Sequence, residues 1–266
     1  MNKNYPIGIF DSGIGGLTVA KAIRSLLPHE SLLYFGDTKH LPYGDKSVHA
    51  IQQFSKNIAL FLKQKKCKMI VIACNTASSV AYKTIKNECQ NIEIVNVIDP
   101  IVERVTACDD TQTIGVIGTK RTINSDVYPQ KIKSINHNIT VKSLATPLLA
   151  AIIEEGFFND KISQVIVHNY LKDPALDAID KLILACTHYP LIHEVIRGYY
   201  AKGIDIIDSA SQVAFHVKDV LTNKQLLGTQ SQKHRFYVSD YTHSFEKSAK
   251  FFFGKDIHLE EINSIH

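Results

Sequence analysis

Two cysteines, Cys74 and Cys186, each stand directly after a short apolar run and before a helix-period segment. The first run reads Ile70-Val71-Ile72-Ala73-Cys74-Asn75-Thr76 and the second Leu182-Ile183-Leu184-Ala185-Cys186-Thr187-His188. A thiol at the start of a helix lies near free amides, which depress its pKa from about 8.5 and attract carboxylates. Two such thiols on opposite walls of one cleft suit removing a proton from one face of a carbon and returning it to the other. A lone cysteine in this place is as readily a small buried hydrophobe; it is the repetition that points to chemistry. Cys67, Cys89 and Cys108 lack the context and are expected to be inert.

Other chemically able residues sit at matching places. Asp11-Ser12-Gly13-Ile14-Gly15-Gly16 follows the first apolar run and opens a helical pattern. It departs from the dinucleotide fingerprint G-x-G-x-x-G because Thr18 stands at the last glycine. Its glycines are expected to allow a tight turn and close approach of a ligand to backbone N–H groups. Asp11 would share the strand-end level of Cys74, or serve only as a helix N-cap. His188, two residues after Cys186, is either a surface histidine or a partner that tunes thiol protonation. Leu41-Pro42-Tyr43-Gly44 is a turn by composition.

The elements that must position these residues follow from periodicity. Apolar runs are expected as strands at 7–10, 32–35, 69–73, 94–98, 113–117, 140–144, 182–185 and 204–207, separated by amphipathic helical segments. Strands without polar alternation, followed by helices, read as parallel sheets covered on both faces. Three segments recur in order: Ile7 with Ile114, 107 positions on; Cys74 with Cys186, 112 on; and Asp99 with Asp208, 109 on. The fold expected is therefore two homologous parallel-sheet α/β domains facing each other across a central cleft. Ligands would sit at the carboxyl ends of the strands. The tail offers a helix (211–221), a strand (235–239) and a last helix (244–253), and is expected to complete the first half. The domains would be 1–98 with 209–266, and 99–208.

Composition narrows the function classes. The 266 residues are 45% hydrophobic and 21% charged, enough for proper cores, with a net charge of only +4. The densest basic run, Lys63-Gln64-Lys65-Lys66-Cys67-Lys68, reads as a cationic helix end, and no basic stripe is interleaved with aromatics. No nucleic-acid partner is expected. Apolar runs are too short for a membrane span, and the first residues lack a signal-peptide core, so a cytoplasmic protein is expected. Five cysteines without C-x-x-C spacing argue against a disulfide framework and structural zinc.

Together, Asp11-Ser12-Gly13-x-Gly15-Gly16-Leu17, Pro42-Tyr43-Gly44, Ala73-Cys74-Asn75-Thr76-Ala77-Ser78 and Cys186-Thr187-His188 resemble the motifs of the glutamate racemase family in order and spacing. The resemblance runs from Ile7 to about Ser209. It implies interconversion of L- and D-glutamate without pyridoxal phosphate or metal, supplying D-glutamate for peptidoglycan. It makes Cys74 and Cys186 the acid/base pair, with Cys74 addressing the D form and Cys186 the L form. Asp11, His188 and Glu154 join the catalytic set. Substrate contacts fall on Asp11, Ser12, Tyr43, Gly44, Asn75, Thr76, Thr187 and His188. The segment 146–154 departs from the family pattern, with Thr146 and Ala151 where Cys and Pro are usual. Expected partners are the small-molecule substrate and a second copy of the chain in a homodimer. Three rival readings stay open: an aspartate racemase or related isomerase, a non-catalytic two-domain protein that closes on a small anion, and a hydrolase with Cys186 as nucleophile and His188 as base.

Overall fold

The computed structural model describes residues 2–107, 112–158, 160–201, 203–230, 233–262 and 265; Cys108, expected to be inert, lies outside them. Its strands are β1 (Ile7–Asp11), β2 (Leu32–Gly36), β3 (Met69–Ile72), β4 (Glu93–Asn96), β5 (Thr113–Gly118), β6 (Thr140–Ala145), β7 (Lys181–Ala185), β8 (Asp205–Asp208), β9 (Arg235–Val238) and β10 (Leu259–Glu261). Its helices are α1 (Leu17–Leu26), α2 (Val48–Gln64), α3 (Asn75–Glu88), α4 (Asp99–Thr106), α5 (Lys120–Asn124), α6 (Val127–Ile135), α7 (Pro147–Glu154), α8 (Lys161–Leu171), α9 (His193–Tyr199), α10 (Ser209–Asn223) and α11 (His243–Phe253). The chain divides into two compact units, Met1–Val97 with Ala210–His266, and Ile98–Ser209.

Each unit is built on its own all-parallel sheet. The first has strand order β10-β9-β2-β1-β3-β4 and the second β6-β5-β7-β8. The order β2-β1-β3-β4 is thus repeated as β6-β5-β7-β8, which is what a duplicated α/β unit requires. The central strands match in detail. Gly8 pairs with Leu33 and Ile70, and Gly115 with Lys142 and Leu182. A Cβ on Gly8 would lie 2.9 Å from Cys67 Sγ, and one on Gly115 would lie 2.8 Å from Ile179 Cδ1. Both central strands need the same missing side chain, because a neighbouring element packs straight onto their backbone.

Both faces of the first sheet are buried, so its strands are apolar throughout rather than alternating. Phe10, Leu33, Phe35, Ile70 and Ile72 pack with Ile51, Ile58 and Leu62 of α2 and Ala77, Ala81 and Ile85 of α3. The alternate residues Ile9, Tyr34 and Val71 face the other way and are fully buried too. There Phe236 of β9 meets Phe253 of α11 with ring centroids 4.6 Å apart, and Arg24 of α1 lies 4.1 Å over Phe253.

The tail joins the first sheet through β9, which pairs in parallel with β2. An edge strand that sequence periodicity did not mark, β10, then adds to β9. At the amino ends of these strands a buried ion pair fixes the tail. Lys68 Nζ lies 2.5 Å from Glu30 Oε2 and donates to the carbonyls of Lys3 and Leu226 at 2.6 and 2.8 Å. Glu30 Oε1 in turn accepts from Gly228 N–H at 2.6 Å. No described helix is long and apolar enough to cross a membrane.

Candidate active site

In the first unit the candidate residues collect at the carboxyl ends of β1, β2 and β3. Asp11 ends β1 and is fully buried; its Oδ2 accepts from Gly13 N–H at 3.1 Å. It does not cap α1, whose N-cap is Gly16, so the simple capping role is excluded. Glycine is required at 16 because a Cβ there would stand 2.6 Å from Asp11 Cβ and 2.9 Å from Ala73 Cβ. Gly16 owes its residue type to this close packing rather than to left-handed backbone: among the described glycines only Gly156 and Gly254 have positive φ.

Cys74 is the N-cap of α3. Its sulfur accepts from Ala77 N–H at 3.4 Å and its thiol reaches Ser12 Oγ at 3.6 Å. Asn75 and Thr76 form the first turn of that helix and are buried, as is Ser12. The sulfur therefore sits where helix amides favour negative charge.

Pro42, Tyr43 and Gly44 lie in the connection from β2 to α2. Leu41–Pro42 is cis, and Tyr43–Asp45 is a short 3-10 turn. The Tyr43 phenol donates to Asp37 Oδ2 at 2.5 Å. Burial pushes its pKa well above the ordinary value, and the Asp37 carboxylate adds to the rise, as do the charges of Cys74 and Asp11. Asp37 directly follows β2, is 2% exposed, and also holds His40 Nδ1 at 2.8 Å and the Ser239 hydroxyl at 2.8 Å. Sequence reading missed Asp37 and Ser239. The signal for Asp37 was present, since Gly36-Asp37 ends an apolar strand as Phe10-Asp11 does; Ser239 gave none.

In the second unit Cys186 follows β7 in the place equivalent to Cys74 after β3. Here the expectation of a helix start needs correction. A 3-10 turn, Tyr189–Ile192, comes first, and α9 begins only at His193. Pro190 stands in the first positions of this turn, where its missing N–H costs no helical hydrogen bond. Cys186 therefore lacks the N-cap position that Cys74 has.

Cys186 instead has a histidine. His188 Nδ1 lies 3.6 Å from Cys186 Sγ, and Nε2 lies 2.9 Å from Glu154 Oε1 at the end of α7. The sequence-derived Cys186, His188 and Glu154 are thus one linked row, and Thr187 is buried between the first two. Burial alone would lower the His188 pKa. The Glu154 carboxylate and the Cys186 sulfur outweigh burial and hold it well above the ordinary value. Tyr128 and Tyr189 are buried near the same sulfur, and burial raises both phenols further, so they stay protonated.

The remaining cysteines behave differently. Burial pushes the Cys67 thiol up to about 12 and raises that of Cys89. The buried Lys68 is tied to Glu30 at the amino end of β3, away from Cys74. Among the described residues no group of three or more His, Cys, Asp and Glu side chains is arranged to hold a metal ion.

Comparison with known proteins places the chain in a family. The Asp/Glu/Hydantoin racemase family model matches residues 17–216. A glutamate racemase of Neisseria meningitidis is 38% identical over 100% of this chain and 98% of its own. "Glutamate racemase 3" of Caldanaerobacter subterraneus is 41% identical over 93% of this chain and 90% of its own. Among solved structures, the glutamate racemase of Francisella tularensis in complex with D-glutamate has a TM-score of 0.92 at 38% identity, covering 98% of both chains. Matching family model, full-length relatives and strand-end cysteines in one chain lead to a single conclusion: the chain belongs to the Asp/Glu/Hydantoin racemase family, and within it to the glutamate racemase family.

Proposed function

We propose that this protein interconverts L- and D-glutamate by two-base proton transfer, with Cys74 and Cys186 as the two bases. The observation that carries the reading is their equivalence: each follows the third-placed strand of the same strand order, one in each unit. One thiolate takes the α-hydrogen, breaking C–H and forming S–H. The other thiol gives its proton to the opposite face of the carbanion, breaking S–H and forming C–H. No net proton, electron or cofactor is consumed, and the reading needs neither pyridoxal phosphate nor metal.

The neighbours of the two thiols divide the labour. On the second unit's side, Glu154 orients the imidazole and His188, held protonated, stabilises a thiolate at Cys186. On the first unit's side the Cys74 thiol donates to Ser12 Oγ and its sulfur accepts from Ala77 N–H, the bond that favours the thiolate, next to the buried Asp11. Asn75, Thr76 and Thr187, with the helix amides of α3, would hold the substrate carboxylate and preorganise charge for the carbanionic transition state. Tyr43 and Gly44 would complete the substrate contacts. The product D-glutamate would feed peptidoglycan synthesis in the cytoplasm. A homodimer is the working assembly proposed, checked by sedimentation equilibrium: a single species of monomer mass excludes it.

The test is optical rotation of L-glutamate with the protein alone, no cofactor added, beside L-aspartate as control substrate. Decay of rotation to zero with glutamate is expected. Racemisation confined to aspartate makes it the related isomerase, and no racemisation or α-hydrogen exchange of either amino acid makes it a binding protein.

A further inference from the structure

We propose that Thr146 and Tyr189 form a positioning pair for the Cys186 side, pinning the amino end of α7 so that its far end delivers Glu154 to His188. Thr146 Oγ1 lies 2.7 Å from Tyr189 Oη, and the phenol donates to the Thr146 carbonyl at 3.2 Å. Both residues are fully buried. Thr146 is anchored in its turn, its N–H donating to the Gly118 carbonyl at 2.8 Å at the end of β5.

The geometry makes this more than a local bond. Thr146 immediately precedes α7, and Glu154 is the last residue of that helix. Eight residues of α-helix span about 12 Å. Adjacent residues of the turn, His188 and Tyr189, therefore reach opposite ends of α7, one to the carboxylate and one to the helix start. The turn itself is closed by Tyr189 N–H to the Cys186 carbonyl at 3.2 Å and Leu191 N–H to the His188 carbonyl at 3.1 Å. With both ends held, α7 cannot slide or pivot against the turn. With the Tyr189 bond gone, α7 keeps its buried Leu149 and Ile153 and the bond from Leu148 N–H to the Tyr170 hydroxyl, but its amino end loses its hydroxyl tie to the turn, and any resulting shift of the helix is felt at the 2.9 Å contact between Glu154 and His188.

The inference rests on the reading of His188 and Cys186 as reacting groups, and the experiment separates the two. Tyr189→Phe, Thr146→Val, Thr146→Ser, Glu154→Gln and the double variant Tyr189→Phe/Glu154→Gln are assayed for kcat in both directions across pH. Tyr189→Phe and Thr146→Val are expected to lose roughly tenfold in kcat, as small misplacements of reacting groups do. They should slow the direction that Glu154→Gln slows, and move the alkaline limb the same way. Thr146→Ser, which keeps the hydroxyl, should stay within about twofold of wild type. Adding Tyr189→Phe to Glu154→Gln should cost less than about twofold more, because both act through one contact. The proposal is overturned if Tyr189→Phe keeps wild-type profiles while Glu154→Gln is slow, or if the double variant shows the full product of both losses. Should Tyr189→Phe not fold, Thr146→Val against Thr146→Ser decides, and identical profiles for those two overturn it. A Glu154→Gln enzyme with wild-type kinetics would instead refute the His188 reading itself.

Discussion

Glu154 and His188, thirty-four residues apart, meet at 2.9 Å, while the other ring nitrogen of His188 faces the Cys186 sulfur at 3.6 Å. The imidazole is therefore held as a cation between two acceptors, and its protonation is a property of the row rather than of the histidine. Because its folded pKa is raised, it contributes stability that is fully present below about 6.5 and is lost as pH rises through the folded value.

Replacing Glu154 by Gln removes the largest influence that raises this pKa. A charge-assisted hydrogen bond is worth about 1.5–3 kcal/mol, so the His188 titration should move down by about one pH unit or more. NMR titration of the His188 ring checks this, and the alkaline limb of kcat should move with it. A His188 titration unmoved in Glu154→Gln would show that the carboxylate does not set the charge.

The thiols make a sharper prediction. Cys74→Ala and Cys186→Ala should each abolish racemisation, since the carbanion can no longer be reprotonated on one face. Each should show at most slow exchange of the α-hydrogen in deuterium oxide with retained configuration, and the two should favour opposite enantiomers, Cys186→Ala the D form. Near-wild-type racemisation by either variant ends the two-base proposal.

Asp37 should matter through what it holds. Asp37→Ala leaves the Tyr43 phenol, His40 and Ser239 without their shared acceptor, at a cost of about 3 kcal/mol. Amide exchange in residues 38–45 should speed, and KM should rise more than kcat falls. Unchanged exchange there would mean that the loop is held by other contacts, among them the Thr38 hydroxyl to the Asp240 carbonyl at 2.5 Å.

Lys68→Met tests the opposite end of the first sheet. It leaves Glu30 buried without its cation, which should destabilise the first unit by about 3–5 kcal/mol. Changing Glu30 to Leu as well should recover much of that loss. The kcat per folded molecule should not change, because Lys68 precedes β3 and Cys74 follows it. Urea unfolding and active-site titration together check both statements.

Which of these features could be seen in the residues alone follows from the distance over which each is encoded. The strands were legible because 7–10, 69–73 and 182–185 are apolar without alternation, and burial on both faces demands that. Cys74 at a helix start was legible from Ala77, Val80 and Ala81 after it. The same pattern misled at Cys186, where Ile192, Val195 and Ile196 keep helical spacing but a 3-10 turn over Tyr189–Ile192 comes first. Glu154 could be placed beside the site only by resemblance, since nothing local links it to His188. Asp37 was marked by its place at a strand end, but its pairing with Ser239, and that of Thr146 with Tyr189, were out of reach because they span 202 and 43 residues. Short-range periodicity reports which face is buried, and it does not report which distant polar atom waits there.

The strand order of the first sheet also has a consequence for how the chain comes into being. The second unit is one continuous stretch, Ile98–Ser209, whereas the first uses both ends of the chain. During ribosomal synthesis β1 to β4 emerge first, yet the exposed edge of β2 must wait for Arg235–Val238, after the whole second unit has been made. The later-born unit is thus the first able to finish folding, and the earlier one passes that interval with an unpaired strand edge, the kind of edge that recruits wrong partners. The nascent protein is therefore most vulnerable to aggregation in the span of translation between residues 97 and 235, and a chaperone that guards it has β2 to cover.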